Sequence, residues 1–222
     1  VALYQLGRDA EARAWWGQDR FLQRVSLPTP PGFGSRAAWL HALATDIRQH
    51  SRLRFEPVGL AAQGGWLTDE LLADRTPAIL GFHEALRAAI RDYIAALPFD
   101  SDHPFLRVTR NESWSMHLWA TRSIDGAVID THIHEDSWLS GAFYVELPPG
   151  MGRDGDPDPH AGWIEFGRPH RGLPEIPPED LRTYAPEVGA LLLFPSYLFH
   201  RTLPFRGDGE RISISFDLAF ED

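Results

Sequence analysis

Apolar residues in the N-terminal part of the chain recur mostly at helical spacing. They lie three or four positions apart in residues 35–51 and again in residues 77–97, which predicts two amphipathic helices. Between them, residues 63–66 (QGGW) are typical of a turn, and residues 68–73 predict a short helix. Residues 1–104 are therefore expected to be mostly helical.

After residue 105 the pattern changes to short segments that are rich in β-branched and aromatic residues and are separated by Gly, Pro and Asp. The final segment, residues 211–220 (RISISFDLAF), alternates strictly, and its polar face carries Arg211, Ser213 and Asp217. Such alternation predicts a half-buried strand. Helices followed by strands predict an α+β chain, mainly β, whose residues 105–222 form a β-sandwich or jelly roll supported by the N-terminal helices.

No internal repeat or linker divides the chain, so residues 1–222 are expected to form a single domain. Its length and its 43% content of hydrophobic residues suit a chain that buries a core of its own. The segment 148–162 is polar and acidic and is expected to lie over one end of the sheet.

Composition excludes several classes of protein. A formal charge of −10 without a basic block argues against general binding of nucleic acid through phosphate attraction. The sequence has no apolar stretch long enough for a membrane span and no pattern typical of a signal peptide, so a cytoplasmic location is expected. Cysteine is absent, which excludes disulfides and thiolate sites, so any metal ion must be bound by His, Asp or Glu.

Three histidines have the spacing of a metal site. His132 and His134 lie two residues apart in a predicted strand, so their imidazoles project from one face. His200 follows another strand-like segment in the same half of the chain. Three imidazoles on neighbouring strands can bind a metal ion and leave positions open for other ligands. The alternative is that these histidines are partly buried and satisfied by hydrogen bonds.

The last strand adds a candidate site for an anion. Arg211 and Ser213 share a face of that strand, and a guanidinium beside a hydroxyl suits a carboxylate ligand. The alternative is a surface ion pair between Arg211 and a nearby acid such as Glu210 or Asp208.

These motifs together resemble the 2-oxoglutarate- and Fe(II)-dependent oxygenases of bacteria and their phages. The resemblance covers most of the chain. It rests on GGW at residues 64–66, SW at 113–114, HIHEDSWLSGAFYVELP at 132–148, LLLFPSYLFH at 191–200 and ERISISFD at 210–217.

The resemblance implies a double-stranded β-helix, which is a form of jelly roll, and an enzyme that uses Fe(II) as cofactor and 2-oxoglutarate as co-substrate. It implies iron bound by His132, His134 and His200. It also implies that Arg211, with Ser213 beside it, binds the distal carboxylate of 2-oxoglutarate. The simplest reaction implied is hydroxylation of a substrate.

Several aromatic residues are weaker candidates. Tyr144 lies on the strand after the histidine pair and is a candidate to reach the co-substrate, although an aromatic residue there is more often part of the core. Trp114, His117 and Trp119 do not share one strand face, so at most part of this set is expected to face the pocket, with Trp114 as packing.

A second metal register competes with the first. Most oxygenases of this superfamily have HxD or HxE as the first pair, and His134-Glu135-Asp136 can be read that way, with His134, Asp136 and His200 as ligands. In the family that the chain resembles, HxH is followed by a short variable step to SG, and Ser140-Gly141 matches that motif, so the resemblance favours His132 and His134. A third neutral imidazole would leave the iron more positive than a carboxylate ligand would.

Two other functions account for part of the pattern. A cupin-like three-histidine metalloenzyme that does not use 2-oxoglutarate would explain the histidines but not Arg211. A non-catalytic ligand-binding jelly roll would explain the fold alone. The sequence does not identify the substrate, which is expected to be a small molecule or a peptidyl group, and it leaves open whether the chain forms a homo-oligomer.

Overall fold

The computed structural model describes residues 1–56, 62–108, 113–152 and 158–221. The α-helices are α1 Ala2–Gln5, α2 Asp9–Trp16, α3 Gln18–Phe21, α4 Arg36–Arg48 and α5 Pro77–Ala96. Short 3-10 helices span Leu71–Ala73, Leu106–Val108 and Pro178–Asp180. None of the helices in these described ranges is long and apolar enough to cross a membrane.

The two long helices begin at side-chain caps. The hydroxyl of Ser35 accepts a hydrogen bond from the Ala38 N–H at 3.1 Å, and that of Thr76 accepts one from the Ile79 N–H at 3.2 Å. Pro77 occupies the first turn of α5, where its missing N–H costs no helical hydrogen bond. The helices predicted at residues 35–51 and 77–97 are therefore confirmed in position.

The strands are β1 Gln23–Ser26, β2 Arg54–Phe55, β3 Ala62–Leu67, β4 Trp114–His132, β5 Leu139–Glu146, β6 Ile164–Phe166, β7 Arg182–Tyr184, β8 Ala190–Pro195, β9 His200–Thr202 and β10 Arg211–Phe220. They form one sheet in the order β1-β8-β5-β10-β4-β9-β6-β7, with β3 pairing with β4 and with β2. Every strand pair is antiparallel. The sheet curls into a half-barrel, which confirms the prediction of a mainly β jelly-roll fold.

Strand β4 connects the two parts of this curled sheet. Its first ten residues, from Trp114 to Ser123, pair with β10, and its C-terminal end pairs with β9. The register shifts between Ile129 and His132, which marks an irregularity in the ladder close to the end of the strand. Because β4 pairs with both β9 and β10, the ends of these two strands face the same interior of the curled sheet.

The helices cover the outer face of the sheet. Trp39 of α4 and Phe82 of α5 both pack on Phe143 of β5, with ring centroids 5.8 Å and 5.0 Å from it. All three side chains are completely buried. Burial of large aromatic side chains contributes about 1.5–3 kcal/mol each to stability, so this layer supports the strand next to β10.

One local prediction needs correction. Besides the helices, residues 1–104 contain β1, β2 and β3, which join the sheet. The predicted turn at residues 63–66 is part of β3. Gly64 has a positive φ of 77°, and a Cβ at this position would lie 2.9 Å from the Ala127 Cα. A glycine is therefore needed here, where β3 is bulged and lies very close to β4.

Some predicted features fall outside the described residues. Residues 153–157, within the predicted loop 148–162, and residues 109–112, within the first predicted strand segment, belong to this group.

Candidate metal centre and co-substrate site

Strand pairing brings the three histidines together. His132 is the last residue of β4 and His200 is the first residue of β9, and the two are Cα partners. His134 lies just beyond β4, where its backbone N–H donates to the Ser196 carbonyl at 3.1 Å. Two of the three side chains are thus positioned by sheet register and the third by one backbone hydrogen bond.

The three imidazoles surround one point. Their ring centroids lie 4.2 Å apart for His132 and His200, 5.0 Å for His132 and His134, and 5.2 Å for His134 and His200. Each ring offers one nitrogen, and these nitrogens all lie within 4.8 Å of one another. Within the described ranges, this is the group of His, Asp and Glu side chains that could hold a metal ion.

Backbone carbonyls orient two of the rings. The Nδ1 of His132 lies 2.7 Å from the Asp130 carbonyl oxygen, and the Nδ1 of His200 lies 2.9 Å from the Leu198 carbonyl oxygen. A carbonyl only accepts hydrogen bonds, so Nδ1 carries the proton in both rings. Their Nε2 atoms are therefore unprotonated and free to bind a metal ion.

A carboxylate orients the third ring. The Nδ1 of His134 lies 2.8 Å from Oδ2 of Asp217. With Nδ1 donating to this carboxylate, the neutral form of the ring also presents an unprotonated Nε2. A donor set of three imidazole nitrogens fits a divalent first-row metal such as iron.

Burial keeps two of these imidazoles uncharged. It lowers the pKa of His132 to about 4, although the hydrogen bond to Asp130 partly opposes the shift. Burial also holds the pKa of His200 well below 6.5, and the neighbouring His132 and His134 lower it further. Both rings are therefore neutral at pH 7, which is the form that binds metals.

The competing register does not assemble in this geometry. Asp136 is exposed and does not belong to the group that could hold a metal. His132, which that register leaves out, is in the group.

Arg211 is a buried cation that pairs with no carboxylate among the described residues. Only 2% of its surface is exposed, and burial lowers its pKa, but a guanidinium still remains protonated. Its Nη1 donates to Oγ of Ser213 at 3.2 Å, whereas its Nε has no hydrogen-bond partner. No carboxylate in the described parts of the chain lies within salt-bridge distance of it. Because an unpaired buried charge is costly, this arrangement favours an anionic ligand.

The acid next to Arg211 in sequence has other partners. Glu210 accepts hydrogen bonds from Nε of Arg122 at 2.7 Å and from Nε of Arg48 at 2.8 Å. Arg211 therefore does not pair with Glu210, and that alternative is wrong.

Tyr144 lies against Arg211. The guanidinium carbon is 5.2 Å from the centroid of the tyrosine ring. Tyr144 is 1% exposed, and burial raises its pKa, although the neighbouring Arg211 partly opposes the shift. Tyr144 thus supports the guanidinium by a cation–π contact.

The histidines and Arg211 open into one cavity of about 610 Å³. Its lining includes His132, His134, His200, Arg211 and Ser213 but not Tyr144, and most of its other walls are apolar or aromatic. This volume lies in the range of small-molecule sites, which is about 300–1,000 Å³.

Two aromatic residues of β4 belong to this cavity although the sequence ranks them as weaker candidates. The Trp119 ring is 5.8 Å from that of His134, and His117 stacks on Trp119 at 5.4 Å. Trp114 instead packs outside the site, with Arg87 over its ring at 4.3 Å. The signal was available in the two-residue spacing of His117 and Trp119, which puts both on one strand face.

Asp217 is a site residue that the sequence analysis did not single out. It is the C-terminal member of the polar face on the last strand, which begins at Arg211. Its contact with His134 depends on how β10 lies against the rest of the sheet, and no local pattern reports that.

Sequence and fold comparisons agree with this site. A family model described as 2OG-Fe(II) oxygenase matches residues 117–217, which include His132, His134, His200 and Arg211. A search of curated proteins found no match.

Solved structures share the fold. A prolyl-4-hydroxylase of Pseudomonas putida is 17% identical with a TM-score of 0.56, covering 95% of this chain and 99% of that one. A prolyl hydroxylase of Trichoplax adhaerens, in complex with a peptide fragment of hypoxia inducible factor, is 12% identical with a TM-score of 0.60, covering 98% and 93%. HygX of Streptomyces hygroscopicus, with nickel, 2-oxoglutarate and hygromycin B bound, is 14% identical with a TM-score of 0.55, covering 91% and 84%.

These likenesses support the double-stranded β-helix fold, and the family match covers the strands that carry the histidines and Arg211. Residues 117–217, which carry the three histidines and Arg211, are therefore similar to the 2OG-Fe(II) oxygenase family.

Proposed function

We propose that His132, His134 and His200 bind Fe(II) through their Nε2 atoms. The support is that each Nδ1 already has a hydrogen-bond partner, while the donor nitrogens converge within 4.8 Å. Three protein ligands leave positions for a co-substrate and for oxygen. When bound, Fe(II) and 2-oxoglutarate supply an oxidation in which O₂ gives one atom to the succinate formed with carbon dioxide and the other to a C–H bond of the substrate.

Arg211 binds the distal carboxylate of 2-oxoglutarate in this proposal. The observation that carries it is a buried guanidinium that opens into the metal cavity and pairs with no carboxylate in the part of the chain that the structure describes. Its planar fork can take both oxygens of a carboxylate, and the Ser213 hydroxyl beside it is a further donor. Tyr144 contributes at this end of the site by holding the guanidinium of Arg211 against its ring.

The remaining walls act on the substrate. The apolar side chains of Ile129, Ile164 and Phe194 limit the access of water, and Trp119 offers a flat surface next to His134. We infer hydroxylation of an aliphatic C–H group on a small molecule or a peptide. The neighbours with a peptide and with hygromycin B support this range. A cytoplasmic location stays a prediction from the sequence, and formation of a homo-oligomer stays open.

Anaerobic titration tests the proposal. Fe(II)-loaded protein is expected to develop the visible charge-transfer absorption of an iron–2-oxoglutarate complex as 2-oxoglutarate is added. Absence of this absorption in protein that contains stoichiometric iron would contradict the assigned co-substrate site.

A pair of variants tests the role of Arg211. Arg211→Ala is expected to raise the dissociation constant of 2-oxoglutarate by at least tenfold while iron content stays the same, because an ion pair with two hydrogen bonds is lost. Arg201→Ala is the matched control, since Arg201 lines the same cavity but its Nε donates to Glu165 at 2.7 Å. A larger loss in the Arg201 variant would move the anion site to that residue.

A further inference from the structure

Asp217 is the carboxylate next to the metal centre. Its Oδ2 lies 2.8 Å from Nδ1 of His134, and both side chains are largely buried, with 19% and 16% of their surfaces exposed. It also lines the cavity. Asp217 is not one of the three side chains that could hold the metal ion. It hydrogen-bonds to one of them, His134.

A chain of buried hydroxyls holds this carboxylate in place. Oγ of Ser140 donates to Oδ1 of Asp217 at 2.6 Å, and Oγ of Ser196 lies 2.7 Å from Oγ of Ser140. Because the Ser140 hydroxyl has a single hydrogen and gives it to Asp217, Ser196 must be the donor to Ser140. The carbonyl of Ser196 also accepts from the His134 backbone N–H. The circuit therefore fixes both the backbone and the ring of His134.

The three histidines differ in what orients them. Neutral carbonyls of Asp130 and Leu198 accept from His132 and His200, whereas His134 alone donates to an anion. Hydrogen bonds to a charged acceptor are about twice as strong as those between neutral groups. The negative charge of Asp217 can therefore strengthen electron donation from the His134 ring to a bound metal ion.

We propose that Asp217 is a positioning residue that supplies the negative charge of the metal centre through His134. The inference rests on the metal site proposed above and goes beyond it by assigning a role to a residue outside the ligand set. An all-imidazole set carries no charge of its own, and a carboxylate bonded to Nδ1 offsets part of the cation's charge and fixes the tautomer with Nε2 free.

A neutral amide at this position makes a specific test. Asp217→Asn keeps the size of the side chain but removes the charge, and its NH₂ group can donate to Nδ1, which favours the tautomer that blocks Nε2. Loss of such a partner lowers metal affinity by about 10–100-fold. Co(II) is a suitable probe because competition with a chromogenic chelator reports its affinity and its visible spectrum reports the ligand field.

The matched control is Asp136→Asn, which removes the same charge from an exposed carboxylate two residues from His134. The control is expected to bind Co(II) like the unaltered protein, and Asp217→Asn at least tenfold more weakly, with a shifted spectrum. Asp217→Glu restores the charge and is expected to recover part of the affinity, which a merely structural role would not predict.

The outcomes separate the two proposals. If the unaltered protein does not bind Co(II), the metal site itself is wrong. If the unaltered protein and Asp217→Asn bind Co(II) with equal affinity and equal spectra, or if Asp217→Glu loses as much as Asp217→Asn, only the role of Asp217 is overturned. If Asp217→Asn does not fold, Ser140→Ala is the alternative test, because it keeps the charge of Asp217 but removes a hydrogen bond that holds the carboxylate in place. A several-fold loss of Co(II) affinity supports the role of Asp217, and unchanged affinity overturns it.

Discussion

His132 and His200 face each other directly across the antiparallel pairing of β4 with β9, with their ring centroids 4.2 Å apart. Directly opposite residues are the closest side-chain pairs in an antiparallel sheet. The metal centre therefore depends on correct strand pairing more than on the shape of any loop.

The metal register is tested by comparing His132→Ala with Asp136→Ala. Removal of His132 takes away one of three nitrogen donors, so iron content is expected to fall severely. Removal of Asp136 changes only an exposed charge, and iron is expected to stay bound. Iron stoichiometry by atomic absorption, with circular dichroism to confirm folding, measures both. An iron-free Asp136 variant beside an iron-containing His132 variant would assign the site to His134, Asp136 and His200 instead.

The metal-free protein is expected to lose stability between pH 6.5 and about 4. The folded state holds the pKa of His132 at about 4, whereas an unfolded imidazole titrates near 6.5. In this window the unfolded state binds more protons, so the free energy of unfolding falls as the pH falls, by roughly 3 kcal/mol for this shift. Urea denaturation at pH 7 and pH 4.5 in the presence of a chelator measures the difference. His132→Asn is expected to flatten the dependence, and an equally steep profile in this variant would contradict the assignment.

Glu210→Gln is expected to weaken the fold without weakening co-substrate binding. The carboxylate accepts hydrogen bonds from Arg122 and Arg48, and these bonds lower its pKa. A neutral amide weakens both bonds, for a loss of about 1–3 kcal/mol in the free energy of unfolding. The 2-oxoglutarate affinity, measured by calorimetry with the metal-loaded protein, is expected to stay within about twofold, because Arg211 does not pair with Glu210. A tenfold loss would show that Arg211 depends on this neighbour.

Gly141→Ala is expected to destabilise the sheet. A Cβ at this position would clash with Cε1 of Phe216 and would lie 2.6 Å from the Leu192 carbonyl oxygen, so a ring and a neighbouring strand would both have to move. Overpacking of this kind costs about 1–3 kcal/mol. Gly34→Ala is the control, because no atom lies within 4 Å of its added Cβ. Thermal unfolding compares the two, and an unchanged midpoint in the Gly141 variant would contradict the packing described here.

Local signals in the sequence located much of the fold. The predicted helices at residues 35–51 and 77–97 correspond to Arg36–Arg48 and Pro77–Ala96, because periodicity and N-terminal caps act over a few residues. The QGGW pattern predicts a turn, but these residues belong to β3, because a glycine with positive φ occurs in bulged strands as well as in turns.

The site residues also differ in whether local sequence signals reveal them. The histidine pair, His200 and Arg211 were visible because their residue types and spacing carry chemistry, and the structure brings them to one cavity. Asp217 was visible only as a member of an alternating face. Its contact with His134 arises from the register of β10 against β5, where Asp217 pairs with Ser140. Register of this kind is set by pairing between distant segments, so no short pattern reveals it.

Strand β10 carries Arg211 at its first residue and Asp217 on the same face six positions later. Because side chains alternate along a strand, a slip of β10 by one residue would turn both away from the cavity at once. Mispairing of β10 would therefore displace Arg211 and Asp217 together. The three histidines lie on or beside other strands, so such molecules would lose the anion site and bind metal more weakly, and the affinities for 2-oxoglutarate and for metal would fall together.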